Sequence, residues 1–361
     1  MLFCSVPNSK RFDGCWINIV LDKYSISAST QKKGRCVTGM KNTRIVGNVN
    51  VKVTMLPMSP DRRAFILGGL ISLFGKQAQA QSQSVPLNWI TPETGVLGVE
   101  RVIYPSARVG ADVAFHVVKP PNYETESGRR FPTLYWLHGT GGNRASLRPM
   151  AAYFSAAMAR GDLPPCLVVM PNGQADSLWC DSLDGSAPVE TILMQEILPL
   201  VDTKFRTLAG RPHRLLEGFS MGGFGAGRLG MRHHDQFGAI SMLASGPLQA
   251  TLTRDDGPAL KADARILLLQ RLFGGDQARF LRESPRGMAL VYGDAVRAGT
   301  KMRIAIGSDD VIRSANEEFS RYLVSLNIPH EFIIVPSVGH DARKLIDQLG
   351  FNFHREFFGA A

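Results

Sequence analysis

Cysteine is scarce in this sequence, and its placement excludes the common zinc motifs. Three of the five cysteines, Cys4, Cys15 and Cys36, lie in the first 57 residues, which leaves only Cys166 and Cys180 for the rest of the chain. The spacing of these two matches no common zinc pattern. They form a disulfide if their Cα atoms approach to within about 7 Å, or they remain buried thiols. The sequence leaves both possibilities open.

Long apolar runs and internal repeats are also absent. The apolar run at Phe65–Phe74 is too short for a helix that crosses a bilayer core of about 30 Å. From residue 81 onward the chain shows no repeat and no low-complexity tract. We therefore predict no stable membrane anchor and no repeat architecture.

The greater part of the chain also lacks net charge. Of the formal charge of +10, residues 1–57 carry +7 and residues 58–80 carry +2, which leaves +1 for residues 81–361. Proteins that bind nucleic acid present a basic surface to the phosphate backbone. We therefore predict no nucleic-acid partner for residues 81–361.

Residues 58–80 have the order of a bacterial export signal. Arg62 and Arg63 precede the apolar run, and Ala78–Ala80 supplies a small-residue cleavage site after it. The Arg-Arg-x-Phe core predicts the twin-arginine type. We expect a periplasmic or secreted protein; a transmembrane anchor or a buried helix is the alternative.

An export signal belongs at the start of a protein, yet 57 residues precede this one. We expect residues 1–57 to come from an upstream start codon, with synthesis beginning at Met55 or Met58. A genuine basic N-terminal extension is the alternative. Residues 81–361 then form a single catalytic domain of a size acceptable for one α/β core.

Apolar runs alternate with helical patterns along this domain, which is typical of an α/β fold with a mostly parallel sheet and helices on both faces. A hairpin is predicted at Val99–Tyr104 and Val113–Val118. Further strands are predicted at Thr133–Leu137, Cys166–Met170, Arg214–Phe219, Ala239–Leu243, Met302–Ile306 and Glu331–Val335. Helices are predicted at Ala145–Ala159, Val189–Thr203, Gly222–Arg232, Arg313–Leu326 and Ala342–Phe358.

The segment Gly218–Gly223 reads as a nucleophile elbow, a sharp turn between a strand and a helix that exposes the hydroxyl of Ser220. Glycines flank the serine because side chains there would collide with the neighbouring strand and helix. Glu217, just before the turn, either tunes the site or pairs with an arginine, and we favour the pairing.

A serine hydroxyl becomes nucleophilic when a base removes its proton and an acid orients that base. The partners are expected in the order acid then histidine, each in a loop after a strand. Asp310 and Asp309 follow one predicted strand, and we favour Asp310. His340 follows the next strand and is the predicted base. Asp309 and Asp341 are expected to cap helices.

Backbone N–H groups must stabilise the oxyanion that forms when the serine attacks. We predict the N–H of Met221 and that of Thr140, which lies in the glycine-rich loop His138–Gly142. Trp179 lies in a loop expected to cover the site, where its ring either stacks on substrate or packs in the core. This site calls for no metal and no cofactor.

Four segments resemble the esterase D / putative esterase family of α/β-hydrolases, which includes S-formylglutathione hydrolases, feruloyl and acetyl-xylan esterases and the antigen 85 mycolyltransferases. They are Leu137–Gly142, Pro188–Pro199, Gly218–Gly225 and Gly339–Asp341. The resemblance implies an α/β-hydrolase fold, a triad of Ser220, Asp310 and His340, and an oxyanion hole from Thr140 and Met221.

The function expected from the motifs and the resemblance is that of a serine carboxylesterase acting on small or carbohydrate-linked acyl esters through an acyl-enzyme. An acyltransferase of the mycolyltransferase type and a catalytically silent binding module on the same fold are the alternatives.

Overall fold

The computed structural model describes residues 87–253 and 262–359, together with two strands nearer the N-terminus. The chain divides into two units, Met1–Gln81 and Ser82–Ala361. In the first, strands β1 (Cys15–Asp22) and β2 (Ser25–Lys32) pair antiparallel. The predicted export signal at 58–80 lies outside the described residues. Among the helices that are described, none is long and apolar enough to span a membrane.

The second unit is built on one eight-stranded sheet. Its strands are β3 (Val99–Ser106), β4 (Ala111–Val118), β5 (Thr133–Leu137), β6 (Leu167–Met170), β7 (Arg214–Phe219), β8 (Ala239–Leu243), β9 (Lys301–Gly307) and β10 (Glu331–Val335). Their order across the sheet is β10-β9-β8-β7-β5-β6-β4-β3. Strands β5 to β10 run parallel, and β3 and β4 form an antiparallel hairpin at one edge. The predicted class and hairpin are confirmed.

Helices fill the connections between these strands. They are α1 (Gly142–Ala145), α2 (Leu147–Ala159), α3 (Val189–Ile192), α4 (Leu198–Lys204), α5 (Met221–Arg232), α6 (Ala262–Phe273), α7 (Gln277–Glu283), α8 (Pro285–Arg297), α9 (Arg313–Ser325), α10 (Ala342–Leu349) and α11 (Asn352–Gly359). A π-helical turn, Leu193–Ile197, joins α3 to α4.

One helix prediction is wrong, and one helical region has no prediction. The single helix predicted at 342–358 is divided, because Gly350 adopts a φ of +61°, a left-handed conformation that ends α10. The three helices between residues 262 and 297 were not predicted at all.

Helices cover both faces of the sheet, as the alternating side chains of β5 show. Leu134 and Trp136 pack in one buried cluster with side chains of α2, α10 and α11. Tyr135 and Leu137 pack in a second cluster with side chains of α3 to α7. Successive residues of a strand point to opposite faces, so each face of the sheet carries its own hydrophobic core.

The buried polar groups behave largely as the sequence indicated. Glu217 on β7 accepts a hydrogen bond from Arg303 on β9 at 2.8 Å, and both side chains are buried. The predicted pairing of Glu217 with an arginine is therefore confirmed.

Cys166 and Cys180 are both free and buried, so no disulfide joins them.

Candidate active site

The turn between β7 and α5 holds Ser220 in a strained conformation. Its φ of 58° and ψ of −117° lie in a region that non-glycine residues rarely adopt. The turn is tight: a Cβ on Gly222 would lie 1.9 Å from the carbonyl oxygen of Leu137 on β5. A Cβ on Gly218 would lie 2.2 Å from the carbonyl oxygen of Gly222. Only glycine fits these two positions.

Replacing Gly222 with alanine is therefore expected to prevent folding, or to lower the free energy of unfolding by about 4 kcal/mol or more, because backbone atoms cannot move aside cheaply. Gly128 is the matched control, since a Cβ there meets nothing within 4 Å. Gly128→Ala should stay within about 1 kcal/mol of the parent protein. Thermal and denaturant unfolding of the purified variants measure both; equal stability of the two variants would contradict this account of the turn.

Three predicted residues come together at the carboxyl ends of parallel strands. His340 Nε2 lies 2.9 Å from Ser220 Oγ, and His340 Nδ1 lies 2.8 Å from Asp310 Oδ2. The Asp310 side chain is fully buried, whereas that of His340 is about one-third exposed. The arrangement is a continuous chain of hydrogen bonds from a buried carboxylate to a serine hydroxyl.

Asp309 and Asp341 are the chain neighbours of Asp310 and His340, and only one of the two caps a helix. Asp341 caps α10, with its carboxylate accepting the N–H of Lys344 at 3.1 Å, as predicted. Asp309 was also expected to cap a helix, but α9 begins only at Arg313 and Asp309 instead accepts a hydrogen bond from the hydroxyl of Ser308.

Two packed loops fix the distance between Asp310 and His340. The N–H of Asp309 donates to the carbonyl of Val338, and a Cβ on Gly307 would lie 1.9 Å from that same carbonyl oxygen. The second oxygen of the Asp310 carboxylate accepts the N–H of Ile312 at 3.0 Å. With this oxygen engaged, the other faces the imidazole.

The glycine-rich loop after β5 lies directly against the elbow. The ring of His138 holds this loop in place through two hydrogen bonds. Its Nδ1 donates to the carbonyl of Gly139 at 2.8 Å, and its Nε2 accepts the N–H of Gly173 at 3.0 Å. Burial lowers the pKa of His138 to about 4, so its ring is neutral near pH 7 and can accept this bond. A Cβ on Gly139 would lie 3.2 Å from the Cβ of Ser220.

Thr140 and Met221 both border the cleft that contains Ser220. Among the described residues, the backbone N–H of Thr140 has no hydrogen-bond acceptor, and neither has that of Met221. Met221 is the first residue of α5, where N–H groups have no partner within the helix. The position and the unused N–H groups match what an oxyanion hole requires.

Of the two interpretations of Trp179 that the sequence left open, stacking on substrate is wrong and packing in the core is correct. The side chain is fully buried, and its indole N–H donates to the carbonyl of His138 at 3.2 Å. The ring packs so closely against α5 that a Cβ on Gly225 would lie 2.6 Å from it. Trp179 therefore supports the loop and the elbow helix, and offers no surface to a ligand.

A cleft of about 580 Å³ opens above Ser220 and His340. Its volume lies within the usual range for small-molecule sites. In the ranges that the structure describes, no group of three or more histidine, cysteine or acidic side chains is placed to hold a metal ion.

Comparison with known proteins places the central part of this chain in an esterase family. Residues 106–281, which contain the elbow and the glycine-rich loop, match the family model described as “Putative esterase”. These residues belong to that esterase family. Esterase Rv1288 of Mycobacterium tuberculosis is 31% identical over 255 residues, which cover 66% of this chain and 54% of that protein. The chain thus spans about half the length of the curated esterases it matches.

A second curated relative and two solved structures extend the comparison. An endo-1,4-beta-xylanase/feruloyl esterase of Xylanibacter ruminicola is 29% identical over 157 residues, 41% of this chain and 22% of that protein. A ferulic acid esterase aligns with a TM-score of 0.59 at 22% identity, covering 73% of this chain and 98% of that one. A fluorophosphonate-binding serine hydrolase of Staphylococcus aureus aligns with a TM-score of 0.53 at 21% identity, covering 72% and 96%. The chain has the α/β-hydrolase fold.

Two site residues escaped the sequence analysis. The bracing role of His138 was missed, although its place at the end of a strand and before a glycine-rich loop was a usable signal. The ring of Phe219 packs against the His340 imidazole with centroids 4.7 Å apart. No pattern along the chain indicates this contact, since the two residues are 121 positions apart.

Proposed function

We propose that the protein is a serine carboxylesterase that hydrolyses small or carbohydrate-linked acyl esters through an acyl-enzyme. The observation that carries the proposal is the hydrogen-bonded chain from Asp310 through His340 to Ser220, with distances of 2.8 and 2.9 Å. Family membership and the cleft around the serine support it.

In the first half-reaction, His340 Nε2 takes the proton of Ser220 as Oγ forms a bond to the ester carbonyl carbon. The carbonyl oxygen becomes an oxyanion, which the N–H groups of Thr140 and Met221 stabilise. Asp310 keeps the Nδ1 proton of His340 in place and stabilises the imidazolium. Collapse of the intermediate breaks the ester C–O bond, and His340 returns its proton to the departing alcohol.

In the second half-reaction, water takes the place of the alcohol. His340 removes a proton from water as the hydroxide oxygen bonds to the acyl carbon of the Ser220 ester. The second tetrahedral intermediate uses the same two N–H groups. Its collapse releases the carboxylic acid and restores the hydroxyl of Ser220.

Hydrolysis of p-nitrophenyl acetate with and without added sugar alcohols tests this proposal. A carboxylesterase gives a burst of p-nitrophenol, as the acyl-enzyme forms, and then acetate as the main acyl product. Predominant acetylation of the alcohol would identify an acyltransferase instead. Absence of turnover and of a burst would support the catalytically silent module and overturn the proposal.

We also propose that the protein is exported, on the strength of the signal-like order of residues 58–80. Fractionation of cells and mass spectrometry of the mature N-terminus test this. A mature protein that begins near residue 81 in the periplasm or medium is expected. Peptides from residues 1–50 in the native precursor would contradict the upstream-start hypothesis.

A further inference from the structure

The cleft above Ser220 is larger and more apolar than a short acyl group requires. Its volume is about 580 Å³. Beyond the residues already placed around the serine, much of its wall consists of aliphatic side chains: Leu178, Leu248, Leu252, Leu268, Val311 and Ile312. Burying apolar surface against such a wall favours a ligand with an apolar body.

Helix α6 supplies the cleft with a wall that is firmly attached to the elbow helix. Leu268 lines the cleft, whereas its neighbour Leu267 is 66% exposed on the outer side of the helix. Phe273, at the end of α6, packs edge-on against Phe280, and Phe280 stacks on Phe224 of α5. Aromatic contacts therefore connect α6 to the helix that begins directly after Ser220.

Polar contacts tie two further parts of this wall in place. The side-chain amide of Gln277 both accepts the N–H of Leu252 at 2.8 Å and donates to the carbonyl of Leu252 at 2.9 Å. Arg271 of α6 forms an ion pair at 2.8 Å with Asp176, which also lines the cleft. A wall held in this way is formed before the ligand binds, so little ordering opposes binding.

The aromatic rings beside the cleft are already engaged. The ring of Trp136 packs edge-on against Phe154, and Phe219 packs its ring on His340. Trp179, for which the sequence left stacking on substrate open, is fully buried. The contacts left to a ligand are mainly aliphatic, which suits a flexible alkyl chain better than a planar ring.

We propose that the cleft binds an aliphatic acyl chain of medium length, with Leu268 and Val311 as residues that determine this specificity. The inference rests on the proposed esterase function, because the chain must reach the cleft as the acyl part of an ester. Each methylene that the cleft buries is expected to raise kcat/KM about fourfold. p-Nitrophenyl octanoate has six more methylenes than the acetate, so burial of only two of them gives a preference of about 16-fold.

The experiment compares kcat/KM for p-nitrophenyl acetate, octanoate and methyl ferulate in the full chain and four variants. Leu268→Gln keeps the size of the side chain but puts an amide in the wall, and we expect it to lower the octanoate-to-acetate ratio about tenfold. Leu267→Gln, on the exposed face of the same helix, should leave both rates unchanged.

A second pair of variants protects the test against misfolding of Leu268→Gln. Val311 lines the cleft and is 58% exposed, so Val311→Gln should fold and lower the same ratio. Val324→Gln is the control for Val311→Gln, because Val324 is 65% exposed and is not part of the cleft wall.

Preference for acetate or methyl ferulate in the parent protein would overturn the inference, as would an unchanged ratio in the cleft variants. In either case release of acetate from p-nitrophenyl acetate would show that the proposed esterase function still holds. Failure of all three esters, with no burst, would instead overturn the proposed function itself.

Discussion

Replacing Ser220 with alanine is expected to lower kcat for ester hydrolysis by about 10⁴-fold or more. The acyl-enzyme needs the Oγ atom, and without it only binding and the oxyanion hole assist attack by water. The midpoint of thermal unfolding should change little, because the hydroxyl is not part of the core. Initial rates with p-nitrophenyl esters and a thermal melt measure the two quantities.

Ser245 provides the matched control for this variant. Its side chain also lines the cleft, but the hydroxyl is buried without a hydrogen-bond partner among the described residues. Ser245→Ala should therefore retain activity within about threefold, since no bond is lost. Turnover that survives in Ser220→Ala, or equal losses in the two variants, would exclude Ser220 as the nucleophile.

Replacing Asp310 with asparagine is expected to lower kcat by about 10³–10⁴-fold, with a much smaller change in KM. The amide cannot stabilise an imidazolium, and its NH₂ group facing His340 Nδ1 would favour the wrong tautomer. Asp310→Asn keeps the shape of a side chain that is fully buried. The loss should therefore appear in the chemical step, which single-turnover kinetics isolate.

The adjacent aspartate is the control for that prediction. Asp309 is exposed and bonds only to Ser308 among the described side chains, so Asp309→Asn should change kcat less than about threefold. A loss in Asp309→Asn as large as that in Asp310→Asn would mean that the acid has been assigned to the wrong residue.

Much of the sheet and the placement of the proposed triad follow from local patterns. Strands such as β5 and β7 are short apolar runs between turn residues, and they predict a buried parallel sheet without further information. The elbow is also local, because its glycines exclude most other turns. Asp310 and His340 were found because parallel strands end at the same edge of a sheet.

The parts that sequence reasoning missed depend on contacts between distant segments. Helices α7 and α8 begin at recognisable caps, Asp276 and Ser284-Pro285, but the intervening pattern is short and charged. The cleft wall at Leu268 depends on how α6 packs against α5. Whether Trp179 faces a ligand or the core depends on Gly225, 46 residues away. Such packing is set by tertiary structure, which local propensity does not determine.

The central claim is that Ser220 carries the acyl group, and covalent labelling tests it most directly. Trypsin cleaves after Arg214 and Arg228, and in the peptide between these sites Ser220 is the only side chain with a hydroxyl group. After reaction with a fluorophosphonate, mass spectrometry of this peptide should show one adduct. The labelled fraction of the peptide should rise at the same rate as esterase activity is lost. An unlabelled peptide from protein that is inactivated at another residue, or protein that resists the probe while it turns over esters, would contradict the account.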